Sequence, residues 1–330
     1  MPDITAEPRA GAHHLSVVVC QGGKVSAYRL LDMRTDFSPL TKELACRAAA
    51  GRPDLAGERW VLRLHALEAS GDVLMEAHLA DGGPGGCLGP LASVRVPLAS
   101  FSAIASRVAK DAQLDGDCKY GVLVHAPDAP IVADWDAQQE DPDFELAAAE
   151  PQLTMPDGFA PGEPPGGRQV VHRAGGWLRC VFRRRAFEQF LDAAAAESDR
   201  ERSWLGAGRV HLSSRACHVV IEDALVELPG EAGQAWVVTH GRDWARLYRQ
   251  VGDRLVAFLH LHPRTVEGKA MRPHPSTNDA VVAWNVCSVS PRPVVLPIAM
   301  FGTDRRSPGE DVAVFGYENG LLRQIQLEVC

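Results

Sequence analysis

The hydrophobic pattern of the first 135 residues predicts a mixed α+β module. Two apolar runs flank Gly22-Gly23, and this arrangement is typical of a hairpin. Alternating apolar and polar positions on either side of Ser70-Gly71-Asp72 predict a second hairpin. The predicted elements are two strands within 15–31, a helix over 38–51, strands at 60–67 and 73–79, a helix over 99–112 and a strand at 120–125. This module contains no motif that indicates chemistry.

The composition changes over residues 136–168, which are rich in proline, glycine and acidic side chains. Such a segment buries little apolar surface, so it predicts a linker. The length of 330 residues also favours two domains over one. The sequence therefore predicts an N-terminal domain over 1–135, a linker over 136–168 and a C-terminal domain over 169–330.

Helical and strand patterns mix in the C-terminal domain and predict an α/β fold. The strongest helix covers residues 184–199, where Phe187, Phe190, Leu191 and Ala194 share helical spacing. Further helices are predicted at 243–251 and over 279–284. Strands are predicted at 177–182, 210–212, 218–221, 254–261, 294–301, 312–317 and 321–329.

Composition and charge narrow the range of partners. Charged residues make up 23% of the chain, and its formal net charge is −8. Duplex nucleic acid and anionic membranes bind to basic surfaces, so neither is expected as the main partner. The sequence shows no leader pattern and no apolar stretch of membrane-spanning length. Its eight cysteines form no CxxC pair, so we expect reduced thiols and a cytoplasmic location.

The candidate chemistry begins at the end of the apolar strand 254–261. His260 and His262 are two residues apart, so on a strand both imidazoles point to the same face. Neutral imidazole suits Zn²⁺, and a catalytic zinc site has three protein ligands and one open position. Asp279 is the candidate third ligand, because it enters a helix and the first helical turn favours a carboxylate.

These residues also carry a family resemblance. His260-x-His262-Pro263 followed by Ser276-x-x-Asp279 resembles the signature of the JAMM/MPN zinc metalloproteases. The family pattern includes an upstream Glu-x-x-Gly-x-Leu-x-Gly, and Glu201 here precedes Gly208 by the same seven positions. The resemblance covers only the C-terminal half of the chain.

The match to this family departs from the pattern at two places. Trp204 stands where the family has glycine. Twelve residues, 264–275, separate the proline from the serine, where the family has about seven. Loops at this place flank the substrate cleft, so we expect this longer loop to lie near substrate.

The resemblance implies a curved mixed sheet flanked by helices, with Zn²⁺ held by His260, His262 and Asp279. It implies that Glu201 activates a zinc-bound water as nucleophile and that Ser276 donates a hydrogen bond to the oxyanion. The implied activity is a bacterial deubiquitinase-like isopeptidase that cleaves after the C-terminal glycine of a ubiquitin-like modifier. The implied partners are that modifier or its conjugates and, through the N-terminal domain, a conjugation-pathway enzyme.

Several alternatives remain open at this stage. The chain fits a JAMM-type enzyme that processes sulfur-carrier proteins, or a metal-free MPN scaffold or binding protein. Ser276 and Asp279 also fit an ordinary helix cap. Glu197 and Glu222 are the other candidate bases, and His274 is expected to lie on the surface of the loop.

Overall fold

The computed structural model divides the chain into two compact units, residues 1–155 and 156–330. It describes residues 14–31, 36, 38–52, 60–67, 72–79, 90–125, 146–147, 159–196, 198, 200–222, 225–228, 231–232, 237–238, 241–266 and 268–330. Both units combine helices with strands, so the predicted mixture of α and β structure is confirmed.

The described residues of the first unit form two sheets and two helices. Its strands are β1 His14–Gln21, β2 Lys24–Leu30, β3 Trp60–Leu67, β4 Asp72–Leu79, β5 Ala92–Val96, β6 Lys119–His125 and β7 Leu146–Ala147. Its helices are α1 Ser38–Gly51 and α2 Ser102–Asp111. The sheet orders are β2-β1-β6 and β5-β4-β3-β7. Both predicted hairpins are confirmed as antiparallel pairs, whereas β5 and β7 were not predicted.

Strand β1 lies at the centre of its sheet and is buried on both faces. Val17 and Val18 point to opposite faces and are both fully buried. Helix α2 lies against β1 and contributes Ile104 and Val108 to the core. Phe101, from the 3-10 turn before the helix, is buried as well. The apolar run that predicted β1 is therefore uninterrupted because the strand has no solvent-facing side.

The described residues of the second unit form one mixed sheet of eleven strands, two separate pairs of short strands and three helices. Its strands are β8 Phe159–Pro161, β9 Gln169–His172, β10 Leu178–Phe182, β11 Arg202–Leu212, β12 Cys217–Ile221, β13 Val226–Glu227, β14 Glu231–Ala232, β15 Val237–Val238, β16 Leu255–His262, β17 Thr265–Val266, β18 Lys269–Ala270, β19 Val295–Met300, β20 Val312–Glu318, β21 Leu321–Gln324 and β22 Gln326–Val329. Its helices are α3 Arg184–Ala195, α4 Gly241–Val251 and α5 Thr277–Val289.

The main path through the sheet runs β21-β20-β19-β16-β11-β12-β10-β22-β9, and β8 and β13 pair with β11 beside it. Strand β8 comes from residues that the composition assigns to the linker. Three of those residues pair with Val210, His211 and Leu212, so the second unit begins before residue 169.

The sheet curls so that strands far apart in this order meet again. Glu318 at the end of β20 accepts hydrogen bonds from the backbone N–H groups of Trp177 and Leu178, both at 2.6 Å. Gly176 has φ +132°, and a side chain there would collide with the Glu318 carboxylate. Glycine at this position therefore permits the contact that closes the curl.

Strand β11 is much longer than the sequence predicts, because two glycines in it resemble a loop signal. A Cβ on Gly208 would collide with the Val220 carbonyl oxygen, and a Cβ on Gly206 would meet the Ala257 Cβ at 3.0 Å. Both glycines thus allow neighbouring strands to approach closely. The prediction of a strand at 210–212 alone was wrong, since β11 begins at Arg202.

The face of the sheet that carries His260 is packed by α4 and α5. Leu205 on β11 lies opposite Phe258 on β16, and both are buried. They join one apolar cluster with Leu247 from α4 and Val286 from α5. Helix α5 is therefore held over the same face as His260, and its N-terminus can contribute to a site there.

A cluster of charged side chains surrounds His218, which is fully buried on β12. Arg168 lies 2.8 Å from His218 Nε2, 2.6 Å from Glu163 and 3.0 Å from Glu328. Burial lowers the pKa of His218, and although Glu163 opposes this shift, the pKa falls to about 4. The imidazole therefore stays neutral in the folded protein over a range where it is charged in the unfolded chain.

Acid is therefore expected to destabilise the second unit through His218. The unfolded chain takes up a proton below pH 6.5 and the folded chain only near pH 4, so stability falls as pH drops through this window. Between pH 6.5 and 4.5 the loss is about 2 kcal/mol. In denaturant unfolding, the free energy of unfolding of His218→Gln should fall by that much less than the wild type's over the same pH range. His172→Gln, on strand β9 at the end of the same sheet, is the control, and equal slopes in both variants would contradict the assignment.

None of the helices in the described part of the chain is long and apolar enough to cross a bilayer.

Candidate metal centre

Strand register brings the predicted site residues to one face. In the antiparallel pair of β11 and β16, Ser203 lies opposite His260 and Arg202 lies opposite Leu261. Directly opposed residues point to the same side of a sheet, and the direction alternates along each strand. Glu201, immediately before β11, therefore joins Ser203, His260 and His262 on one face.

Three short distances connect the imidazoles with two carboxylates. His260 Nε2 lies 3.2 Å from Glu201 Oε2 and 3.5 Å from Asp279 Oδ1. His262 Nε2 lies 3.3 Å from Asp279 Oδ2. The two imidazole rings are nearly perpendicular, with centroids 4.7 Å apart. All four side chains are buried, so the cluster is shielded from bulk water.

Asp279 is held in place by the start of α5. Ser276 is the N-cap, and its Oγ accepts a hydrogen bond from the Asp279 N–H at 3.2 Å. In return, Asp279 Oδ2 accepts from the Ser276 N–H at 2.7 Å, which completes a capping box. The helix-cap interpretation of these two residues is therefore correct, and the same carboxylate also faces both imidazoles.

The site favours positive charge. Burial alone would lower the pKa of His262, but the neighbouring Asp279 and Glu201 carboxylates outweigh it and raise the pKa. Burial likewise would raise the pKa of Asp279, but the two histidines and the Ser276 N–H lower it to about 2. Asp279 is thus ionised at neutral pH and presents a negative charge to the imidazoles.

The chemistry of the donor atoms fits a metal ion. His260 Nε2 and His262 Nε2 are buried and make no hydrogen bond to the described residues, although carboxylate oxygens face them. Around a tetrahedral zinc with bonds of 2.0–2.1 Å, ligand atoms lie about 3.3 Å from one another. The three nitrogen–oxygen distances of 3.2, 3.3 and 3.5 Å agree with that separation. Hydrogen bonds between the same atoms would be closer to 2.8 Å.

One group of three side chains could hold a metal ion, and a fourth side chain lies beside it. Glu201, His260 and His262 each offer an atom within 4.8 Å of the other two. Asp279 contacts both histidines through its two oxygens. Both carboxylates also lie within the reach of one water molecule from His260 Nε2.

One contact was missed by the sequence analysis. Ser203 Oγ lies 2.8 Å from His260 Nδ1, and both side chains are buried. The sequence does contain a signal for this contact. Side chains alternate between the two faces of a strand, so Glu201 and Ser203 share a face if β11 begins near Glu201. The contact was not predicted, because Gly206 and Gly208 in the same stretch resemble a loop signal.

The alternative residues occupy other surroundings. Glu222 pairs with Arg209 at 3.4 Å and Arg254 at 3.7 Å, and Glu197 lies outside the described residues. His274 is exposed, as expected, and its ring lies 5.8 Å from the Phe315 ring centroid.

The long loop 264–275 is anchored at its start and contains the short hairpin of β17 and β18. Arg264 donates hydrogen bonds to Asp311 at 2.6 Å and to the Gly302 carbonyl oxygen at 2.9 Å. The backbone of Arg272 contributes to the raised pKa of His262. The loop therefore reaches the cluster as well as the surface.

Comparisons with known proteins give no independent assignment. No model of a known protein family matches the chain, and no curated protein matches it.

Proposed function

We propose that the second unit is a zinc-dependent isopeptidase of the JAMM/MPN kind. The observation that carries the proposal is the convergence of His260, His262, Asp279 and Glu201, with nitrogen–oxygen separations of 3.2 to 3.5 Å. The order of these residues along the chain, on a strand pair and then a helix start, supports the same family.

The chain's own geometry suggests a division of roles. His260, His262 and Asp279 would hold the zinc, since Asp279 faces both imidazoles and is fixed by its capping box. Zinc in this site would polarise a carbonyl group and lower the pKa of water. Glu201 Oε2 lies 3.2 Å from His260 Nε2, and we assign this carboxylate to proton transfer.

In this mechanism Glu201 accepts a proton as the water oxygen bonds to the amide carbon. The same carboxyl group then gives that proton to the amine nitrogen as the carbon–nitrogen bond breaks. Ser276 is exposed, and its Oγ accepts the Asp279 N–H, so its own O–H can donate to the oxyanion. The products are a carboxylate and a free amine.

The substrate we propose is the amide that follows the C-terminal glycine of a ubiquitin-like modifier. The support for this step is the resemblance of the His-x-His-Pro, Ser-x-x-Asp and upstream glutamate motifs. The buried environment of the acidic and basic groups is suited to hydrolysis of an unactivated amide.

A cleavage assay tests the proposal. Ubiquitin-like proteins joined through their terminal glycine to a lysine side chain would be incubated with the purified full chain and analysed by mass spectrometry. We expect cleavage after glycine, loss of cleavage with a zinc chelator and recovery when zinc is restored. Substrates with valine in place of that glycine are the control. The proposal would be contradicted if the zinc-loaded protein cleaved none of these conjugates, or if cleavage continued unchanged in the presence of the chelator.

A further inference from the structure

Ser203 is the polar side chain that contacts the far side of a candidate ligand. Its Oγ lies 2.8 Å from His260 Nδ1, while His260 Nε2 points between Glu201 and Asp279. The two nitrogens of one ring thus face different partners. The strand register explains the contact, because Ser203 and His260 are directly opposed on β11 and β16.

We propose that Ser203 is a positioning residue that sets the orientation and tautomer of His260 for metal binding. The inference rests on the proposed zinc site. An imidazole that binds zinc through Nε2 carries its hydrogen on Nδ1. Ser203 Oγ accepts that hydrogen, so the Nε2 lone pair is directed into the cluster. Such outer contacts orient metal-binding histidines and increase their affinity for the ion.

Burial makes this contact consequential. Ser203 is 1% exposed and His260 is 3% exposed, so water cannot replace the hydroxyl if it is removed. Loss of the hydroxyl leaves a buried N–H without a partner in the metal-bound form. His262 and Phe258 pack against the His260 ring, and the hydrogen bond to Ser203 adds a directional contact that packing alone does not supply.

The chain offers a matched control in Ser290. Its hydroxyl is also buried, at 2% exposure, and donates to the Leu255 carbonyl oxygen at 2.8 Å. Leu255 begins the strand that ends at His262, so the two serines contact opposite ends of β16. Ser290→Ala therefore removes a buried hydroxyl that contacts the same strand, without touching the cluster.

The test is zinc affinity, measured by competition with a chromogenic chelator on the purified full chain. Ser203→Ala should bind zinc about 10–100-fold more weakly than the wild type. Ser203→Thr, which retains the hydroxyl, should recover most of the affinity, and Ser290→Ala should bind as the wild type does. The visible spectrum of Co²⁺ bound in place of zinc should change in Ser203→Ala and return in Ser203→Thr.

Each other outcome has a distinct meaning. Wild-type zinc affinity and an unchanged Co²⁺ spectrum in Ser203→Ala would overturn the positioning role and leave the proposed isopeptidase intact. Equal weakening in Ser203→Ala and Ser290→Ala would also overturn it, because the cause would then be general destabilisation. A wild-type chain that binds no zinc would overturn both this inference and the proposed function.

Discussion

Glu201→Gln is expected to lower the rate of substrate cleavage by roughly 10²–10⁴-fold while one zinc per chain remains bound. Glutamine keeps the size of the side chain but cannot accept a proton from water. The position is well defined, because Glu201 is buried and its Oε2 lies 3.2 Å from His260 Nε2. Single-turnover kinetics with elemental analysis of the same sample would measure both quantities.

Glu222→Gln is the matched control for this variant. Glu222 is the other described acidic residue that the sequence offered as a base, and it pairs with Arg209 and Arg254. We expect it to retain full activity. If Glu201→Gln lost its zinc, Glu201 would be a ligand, and the roles assigned to Glu201 and Asp279 would have to be exchanged. If it kept both zinc and activity, Glu201 would not be the base.

Much of the second unit could be predicted because its signals are local. The apolar run of β16 is buried along its whole length. At its end, strand alternation places the side chains of His260 and His262 on the same face. Helix α3 was predicted from the spacing of Phe187, Phe190 and Leu191, and all three are buried. Ser276 and Asp279 were identified as both a helix cap and candidate site residues, and the capping box is present.

The rest could not be predicted because it depends on contacts between distant segments. Gly206 and Gly208 resemble a loop signal in isolation, and only the neighbouring strands reveal that they permit close approach. The pairing of Ser203 with His260 joins residues 57 positions apart, so it depends on strand register. The burial of His218 among Arg168, Glu163 and Glu328 likewise brings three separate segments together.

The His262→Ala variant is expected to lose bound zinc altogether. The variant removes one of two imidazoles whose buried Nε2 atoms have no hydrogen bond to the described residues. Two carboxylates with one imidazole are a weaker site for zinc. Elemental analysis should give about one zinc per wild-type chain and almost none in the variant. His274→Ala, which alters an exposed histidine of the adjoining loop, should keep its zinc.

Thermal unfolding with and without zinc provides the second measurement for His262→Ala. An ion that binds only the folded chain stabilises it by about 4 kcal/mol when present at a thousand times its dissociation constant. The wild type and His274→Ala should therefore gain stability on zinc addition, and His262→Ala should not.

Without zinc, the stability of the wild type should depend on pH through His262. Its pKa is raised in the folded chain, so its pairing with Asp279 and Glu201 stabilises the wild type at low pH, and this stabilisation is lost as pH rises. The stabilisation by zinc should grow over the same rise in pH, because the ion and the proton compete for His262. If zinc did not change the stability of the wild type at any pH, the cluster would be a buried ion-pair network. That result would contradict the proposed zinc-dependent activity.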